Sequence, residues 1–262
     1  MSDKIFFLGT AGGAEAVNNQ EKASGGIIIK TISNQIHIDP GPGAAYHTKK
    51  IGINLSETSI ILISHGHLSH CADANSIIGA MTFQGRNPKG FLICPEDAYN
   101  KFIREEYKTA VKFFPSEISK SFEINNLKIV CSKAQHNAES TGFKIYSKNA
   151  VIGYTSDTKY FPSIHKEYED CDILIINARD PEGKKSEHNL NISDVLKIAG
   201  KIKPKLIVLT HFGAAFQQSQ HIYDARKIQK ETGIQTIAAD DGMIVDTDSY
   251  AVERQQKTLS GF

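Results

Sequence analysis

The stretch Ser64-His65-Gly66-His67-Leu68-Ser69-His70-Cys71-Ala72-Asp73 packs three histidines into six residues. A neutral imidazole is the commonest metal ligand near neutral pH, and one metal ion takes three or four donors. His65 and His67 are two apart, so in an extended segment they point the same way, while His70 enters from another angle. Three further donors stand downstream: His136, Asp157 in Gly153-Tyr154-Thr155-Ser156-Asp157-Thr158, and His211 in Leu209-Thr210-His211-Phe212-Gly213. Singly, each has an ordinary explanation: an exposed loop histidine, a turn aspartate, a satisfied core histidine. With the His65 cluster they form a metal-binding set.

Such donors need elements that end at one place. Ile60-Ile61-Leu62-Ile63 reads as a buried strand running into the cluster, and apolar spacing over Ala72 to Met81 predicts a helix after it. His136 follows a strand over Lys128–Cys131, Asp157 one over Val151–Tyr154, and His211 one over Lys205–Leu209. Donors repeatedly placed at strand ends predict a shared rim. Asp39 closes the strand Asn34–Ile38 at Asp39-Pro40-Gly41-Pro42-Gly43, as either a turn residue or an acceptor that orients a ligand histidine. Other strands are expected at Lys4–Leu8, Gly26–Thr31, Phe91–Cys94, Phe122–Ile124, Gly142–Tyr146, Asp172–Asn177, Ile234–Ala238 and Met243–Val245. Helices are expected at about Ala98–Phe113, Ile164–Tyr168, Asn191–Lys201 with Asn191 as cap, and Gln217–Thr232 stopped by Gly233. The Gly9–Gly13 turn lacks GK[ST] and an immediate helix pattern, which argues against a phosphate loop. The tail from Tyr250 is polar. Each half of the chain runs from strands to helices, which predicts two sheets face to face with helices outside.

The totals exclude some classes. Thirty basic and 29 acidic residues leave a net charge of +1, with no general electrostatic reason to bind a long polyanion. No apolar run approaches a membrane span. Four cysteines without CxxC, and no secretory signal, read as a cytoplasmic chain with reduced thiols. With no composition break, residues 1–262 are taken as one domain.

The order of pieces resembles the metallo-β-lactamase superfamily, whose His-x-His-x-Asp-His motif is followed by a histidine, a bridging aspartate and a last histidine. Here these positions are His65, His67, Ser69, His70, His136, Asp157 and His211, with Asp39 matching an early strand-end aspartate. The resemblance runs from about Phe6 to Ile244. It is nearest to archaeal-type, ribonuclease Z-like hydrolases, which share a Gly-Thr-rich start, the Asp-Pro-Gly-Pro-Gly turn and the Ser-Asp-Thr segment. It implies an α/β (α+β) fold, a four-layer αββα sandwich, with one or two divalent metals at the edge between the sheets. Zinc is the first expectation, with manganese or iron as alternatives. In that arrangement His65, His67 and His136 hold one metal, His70 and His211 the second, and Asp157 bridges. A hydroxide between two cations is a nucleophile at neutral pH.

Ser69 departs from the pattern, standing where the family has an aspartate that ligates the second metal. A serine hydroxyl is a poor zinc ligand beside a carboxylate. Three arrangements stay open: two metals with His70, Asp157 and His211 sufficing; one firmly held metal; or Asp73 acting in place of Ser69, directly or through water. Asp73 is four residues on and would share a helix face with Ser69, against the plainer reading of a first-turn acid that favours the helix dipole. His188 precedes His211 as a ribonuclease Z histidine precedes its last ligand. The resemblance gives it a phosphate contact or general-acid role, against a solvated loop residue. His37, His47, His165 and His221 read as structural or exposed.

The expectation is a hydrolase of phosphodiesters, such as RNA ends, cyclic nucleotides or small diesters. The alternative is a hydrolase of lactones, thioesters or β-lactams, with Met81, Phe83 and Phe216 lining its pocket. A metal-binding protein that lost activity with the aspartate is a third reading. The partner expected is a small molecule or short nucleotide, with no extended nucleic-acid surface. A homodimer is compatible with the resemblance.

Overall fold

The alternating inward and outward burial of short apolar strands builds two sheets with a helical layer on each outer side. The computed structural model describes residues 2–217 and 219–248; the tail from Tyr250 lies outside the described residues. The strands are β1 (Lys4–Phe7), β2 (Ile27–Lys30), β3 (Gln35–Ile38), β4 (Ile60–Leu62), β5 (Phe91–Cys94), β6 (Lys112–Pro115) and β7 (Ser121–Ile124). There follow β8 (Leu127–Lys133), β9 (Thr141–Tyr146), β10 (Val151–Tyr154), β11 (Ile173–Asn177), β12 (Leu206–Thr210), β13 (Gln235–Ala238) and β14 (Ile244–Asp246). One sheet has the order β14-β1-β2-β3-β4-β5-β6 and the other β13-β12-β11-β10-β9-β8-β7.

Each sheet changes character across its width. From β14 to β3 neighbours are antiparallel, and from β3 to β6 parallel. From β7 to β10 neighbours are antiparallel, and from β10 to β13 parallel. Parallel strands are buried on both faces, which explains the unbroken apolar runs. Ile60 and Leu62 face the core between the sheets, whereas Ile61 and Ile63 face the outer layer with Ile77, Ile78 and Met81. In the other sheet Ile173 and Ile175 point inward, while Leu174 and Ile176 pack toward Val195, Ile198 and Ile228.

The sandwich, hairpins and motif helix follow the sequence reading, and three elements differ from it. The helix expected over 98–113 breaks into Glu96–Phe102 and Glu105–Lys108, and its end becomes β6. There Phe114 pairs in register with Ile93 and stacks near Phe91 and Phe122, so tertiary pairing overrides local helical spacing. Helices at Gly13–Asn19 and Ala44–Lys50 occupy segments where the sequence predicts none. The first buries no residue fully and the second only Ala44 and Thr48, so neither carries an apolar stripe. Asn191 caps Ile192–Ile202 through a capping box with Asp194. All four cysteines are buried, with no disulfide among them. Among the described residues no helix is long and apolar enough to cross a membrane.

Candidate metal centre

The parallel strands deliver the donors. In sheets of this kind, ligands gather beyond the carboxyl ends of parallel strands. Asp39 follows β3, His65 lies just beyond β4, and Asp157, Asn177 and His211 stand at the ends of β10, β11 and β12. Three strand exits use left-handed backbone: Asp39 at φ 49°, Ser156 at φ 58° and His211 at φ 63°. Non-glycine residues adopt that conformation at a cost of about 1–3 kcal/mol each, and such residues cluster at functional sites. The glycine turn after β1 seats the last of them. Gly12 donates to the Phe212 carbonyl at 2.8 Å, and a Cβ on Gly12 would lie 2.0 Å from the His211 oxygen. Only glycine permits that approach.

The donors fall into two corners. At the first, His67 Nδ1 lies 2.9 Å from His65 Nε2 and 3.4 Å from His136 Nε2. Tetrahedral zinc, with Zn–N of about 2.0–2.1 Å, sets its ligand nitrogens roughly 3.3 Å apart, so this convergence fits a cation. Burial lowers the pKa of all three imidazoles, with repulsion from neighbouring histidines adding to it. They are therefore neutral and present lone pairs. The ring of His136 is aimed by its Nδ1, which donates to the His188 carbonyl at 2.9 Å. His65 Nδ1 meets Ser64 Oγ at 3.0 Å, and that hydroxyl donates to Asp39 at 2.7 Å.

At the second corner, His211 Nε2 lies 3.1 Å from Asp157 Oδ1, and His70 Nε2 lies 3.6 Å from Oδ2. Both nitrogens are buried without a hydrogen-bond partner, and both face the same carboxylate. Orphaned buried nitrogens of this kind fit metal ligands. Burial disfavours a charged His70, but Asp39 and Asp157 outweigh it and raise its pKa. Burial likewise opposes the charge on Asp157, yet His211 and His70 hold its pKa well below the usual carboxylate range. Asn177 fixes Asp157 through a 2.8 Å bond from Nδ2 to Oδ1.

Asp39 joins the corners. Its carboxylate accepts from the Ser64 amide at 2.6 Å, Ser64 Oγ at 2.7 Å, His70 Nδ1 at 2.8 Å and Tyr154 Oη at 2.6 Å. Of the two readings open for it in the sequence, the orienting acceptor is the one the structure has.

Ser69 is half-buried and, with His70, His211, Asp39, Tyr154 and Asn177, lines a cavity of about 20 Å³. That volume holds roughly one water. Asp73 is placed elsewhere. The expected shared helix face does not exist, because helix Leu68–Cys71 stops and a second helix begins at Ala74. The Asp73 carboxylate instead accepts the Ala45 amide at 3.0 Å, in the first turn of Ala44–Lys50. Among the described residues, the metal-competent groupings are His65/His67/His136 and His65/His70/Asp157, and neither contains Asp73. His188 is half-buried at the rim, its ring 6.1 Å from that of His136. The sequence reading missed Tyr154 and Asn177, whose neighbours come from other strands.

Met81, Phe83 and Phe216 are not brought together. Met81 is buried at the end of the outer helix Ala74–Met81, Phe83 is exposed, and Phe216 packs edge-on to Phe212 at the other sheet. His37 is buried in β3, where burial pushes its pKa down to about 4.

A protein-family profile described as a beta-lactamase superfamily domain matches residues 34–212, a span that contains every donor above. An uncharacterized protein of Methanocaldococcus jannaschii is 29% identical to this chain, with 94% of this chain and 96% of the relative covered. Ribonuclease Z of Saccharolobus solfataricus is 24% identical, with 86% of this chain and 94% of the relative covered. Among solved structures, the metallo-beta-lactamase fold protein YhfI from Bacillus subtilis has a TM-score of 0.81 at 17% identity. It covers 94% of this chain and 100% of its own. The likeness shows the fold, and two mixed sheets with outer helices are the αββα sandwich.

Proposed function

Since the chain belongs to the beta-lactamase superfamily, we propose that it is a metal-dependent hydrolase of phosphodiesters, acting on an RNA end, a cyclic nucleotide or a small diester. The observation that carries the hydrolase reading is the paired corner geometry: three neutral converging imidazoles beside two orphaned histidine nitrogens that share Asp157. The phosphodiester reading is supported by ribonuclease Z relatives that align over most of the chain. The alternative on lactones, thioesters or β-lactams loses its expected apolar pocket, because Met81, Phe83 and Phe216 are dispersed.

His65, His67 and His136 would hold one divalent ion, and His70, Asp157 and His211 a second. Neutral imidazoles with one carboxylate suit zinc first, with manganese and iron as alternatives. Bound divalent ions supply Lewis acidity and an acidified water. The chain's own groups do the rest. Asp39 fixes the tautomers of His65, through Ser64, and of His70, so that each turns Nε2 inward. His188, at the rim beside His136, donates a proton to the leaving oxygen. The substrate is a small molecule or short nucleotide, and four cysteines with no disulfide among them favour a reducing, cytoplasmic setting.

Elemental analysis of metal per chain comes first. Turnover of bis-p-nitrophenyl phosphate is then compared with a lactone panel and nitrocefin. Hydrolysis of the phosphodiester at rates well above the others is the expected result. A folded, metal-loaded protein that cleaves only carbonyl substrates, or none, would remove the phosphodiester reading.

A further inference from the structure

Beyond β11 the chain runs through Ala178 to Arg179 along the same rim. The Arg179 side chain is half-buried and lies in a slot cleared by glycines of two other loops. A Cβ on Gly13 would come 3.0 Å from Arg179 Nε and 3.2 Å from Cζ, and a Cβ on Gly213 would come 3.1 Å from Cγ. The Gly213 amide donates to the Arg179 carbonyl at 2.9 Å, which pins the residue's backbone. The slot adjoins the centre: Gly12, next to Gly13, packs against His211, and Gly213 lies two residues past it. Lys184, five positions on, is paired with Asp180, and Lys22 with Asp240. Among the described residues no carboxylate pairs with Arg179. A permanently charged five-donor fork, half withdrawn from water beside the centre, is complementary to an oxyanion.

We propose that Arg179 is a specificity-determining residue that binds a second anionic group of the substrate, a phosphomonoester carried next to the scissile diester. The proposal rests on the phosphodiester reading and deepens it. The scissile group meets the two corners, and the second group meets the guanidinium in its slot. The glycines after β1 and β12 thereby gain a purpose: they leave the arginine room to lie flat along the rim.

The test compares kcat/KM for thymidine 5′-(p-nitrophenyl phosphate) and for the same ester carrying a 3′-phosphate, using metal-loaded protein. A charge-assisted arginine contact predicts a wild-type preference for the second ester of roughly tenfold to a hundredfold. Arg179→Met should erase that ratio, mainly through KM, and Arg179→Lys should restore part of it. A ratio that survives Arg179→Met, or an equal fall on both esters, overturns the proposal; the latter would place Arg179 on the scissile group. Calorimetric binding of adenosine 3′,5′-bisphosphate and of AMP provides a reading without turnover. Tighter bisphosphate binding in wild type, lost in Arg179→Met, upholds the anion site even if neither ester is cleaved, and in that case only the phosphodiester reading fails. No bisphosphate advantage in wild type overturns the proposal. Circular dichroism confirms that each variant is folded.

Discussion

At the His65–His67–His136 corner, burial and mutual repulsion keep every imidazole neutral, whereas at the His70–Asp157–His211 corner two carboxylates hold His70 in its charged form. The same residue type therefore sits in opposite electrical states within one ring-contact distance, 4.1 Å between the centroids of His65 and His70. The first corner offers lone pairs at once. The second must surrender a proton before His70 can ligate, and Ser69 supplies no carboxylate to help. The pair differ in readiness, so an ion entering the first has the easier task.

Asp39 is the acceptor common to both corners, and its removal should have the largest effect. Asp39→Ala leaves the His70 charge, the Tyr154 hydroxyl and two Ser64 donors without their partner. A loss of about 3–5 kcal/mol in urea unfolding of the metal-free protein is expected. A variant as stable as wild type would show that the corners are held independently.

The corners should next separate by pH. His70 has a raised pKa, so throughout pH 6–8 an ion at the second corner displaces a proton, and its affinity should rise about tenfold per pH unit. His65, His67 and His136 have lowered pKa values, so affinity at the first corner should change little over the same range. Chelator competition at pH 6, 7 and 8 measures both, and two parallel slopes would erase the distinction.

Ser69→Asp should bring the second corner nearer to the first. A carboxylate at the small cavity should tighten the second ion by roughly tenfold, as seen in metal content under limiting zinc. An unchanged content would mean that the residue at 69 does not face the ion.

Asp73→Ala should have the smallest effect. Loss of its bond to the Ala45 amide should cost about 1 kcal/mol in thermal unfolding and leave metal content unchanged. A drop in bound metal would return Asp73 to the centre.

The sandwich was readable because the strands around Ile60, Ile173 and Leu206 are short apolar runs with both faces buried, each followed at once by a donor or a turn. The His65 cluster was readable from residue type and spacing alone. Asp73 stayed open between a stand-in for Ser69 and a helix-start acid because an i, i+4 relation holds only within one helix, and the helix breaks after Cys71. Tyr154 looked like an ordinary strand residue; its role exists only because β10 and β3, in different sheets, bring its hydroxyl to Asp39. Arg179 was silent for the same reason, its slot being made by glycines of two separate loops. β6 was hidden by helical spacing until its pairing with β5 is known.

The pairing of β1 with β14 joins residues near opposite ends of the described chain: Ser2 Oγ donates to Asp246, 244 positions away. During synthesis, β1 can pair with β2 once Ile27–Lys30 has been made, but its other edge stays open until Ile244–Asp246 emerges. An open apolar edge is a template for pairing with other chains. One edge of β1 is thus protected only once β14, more than 230 residues later in the chain, has been made.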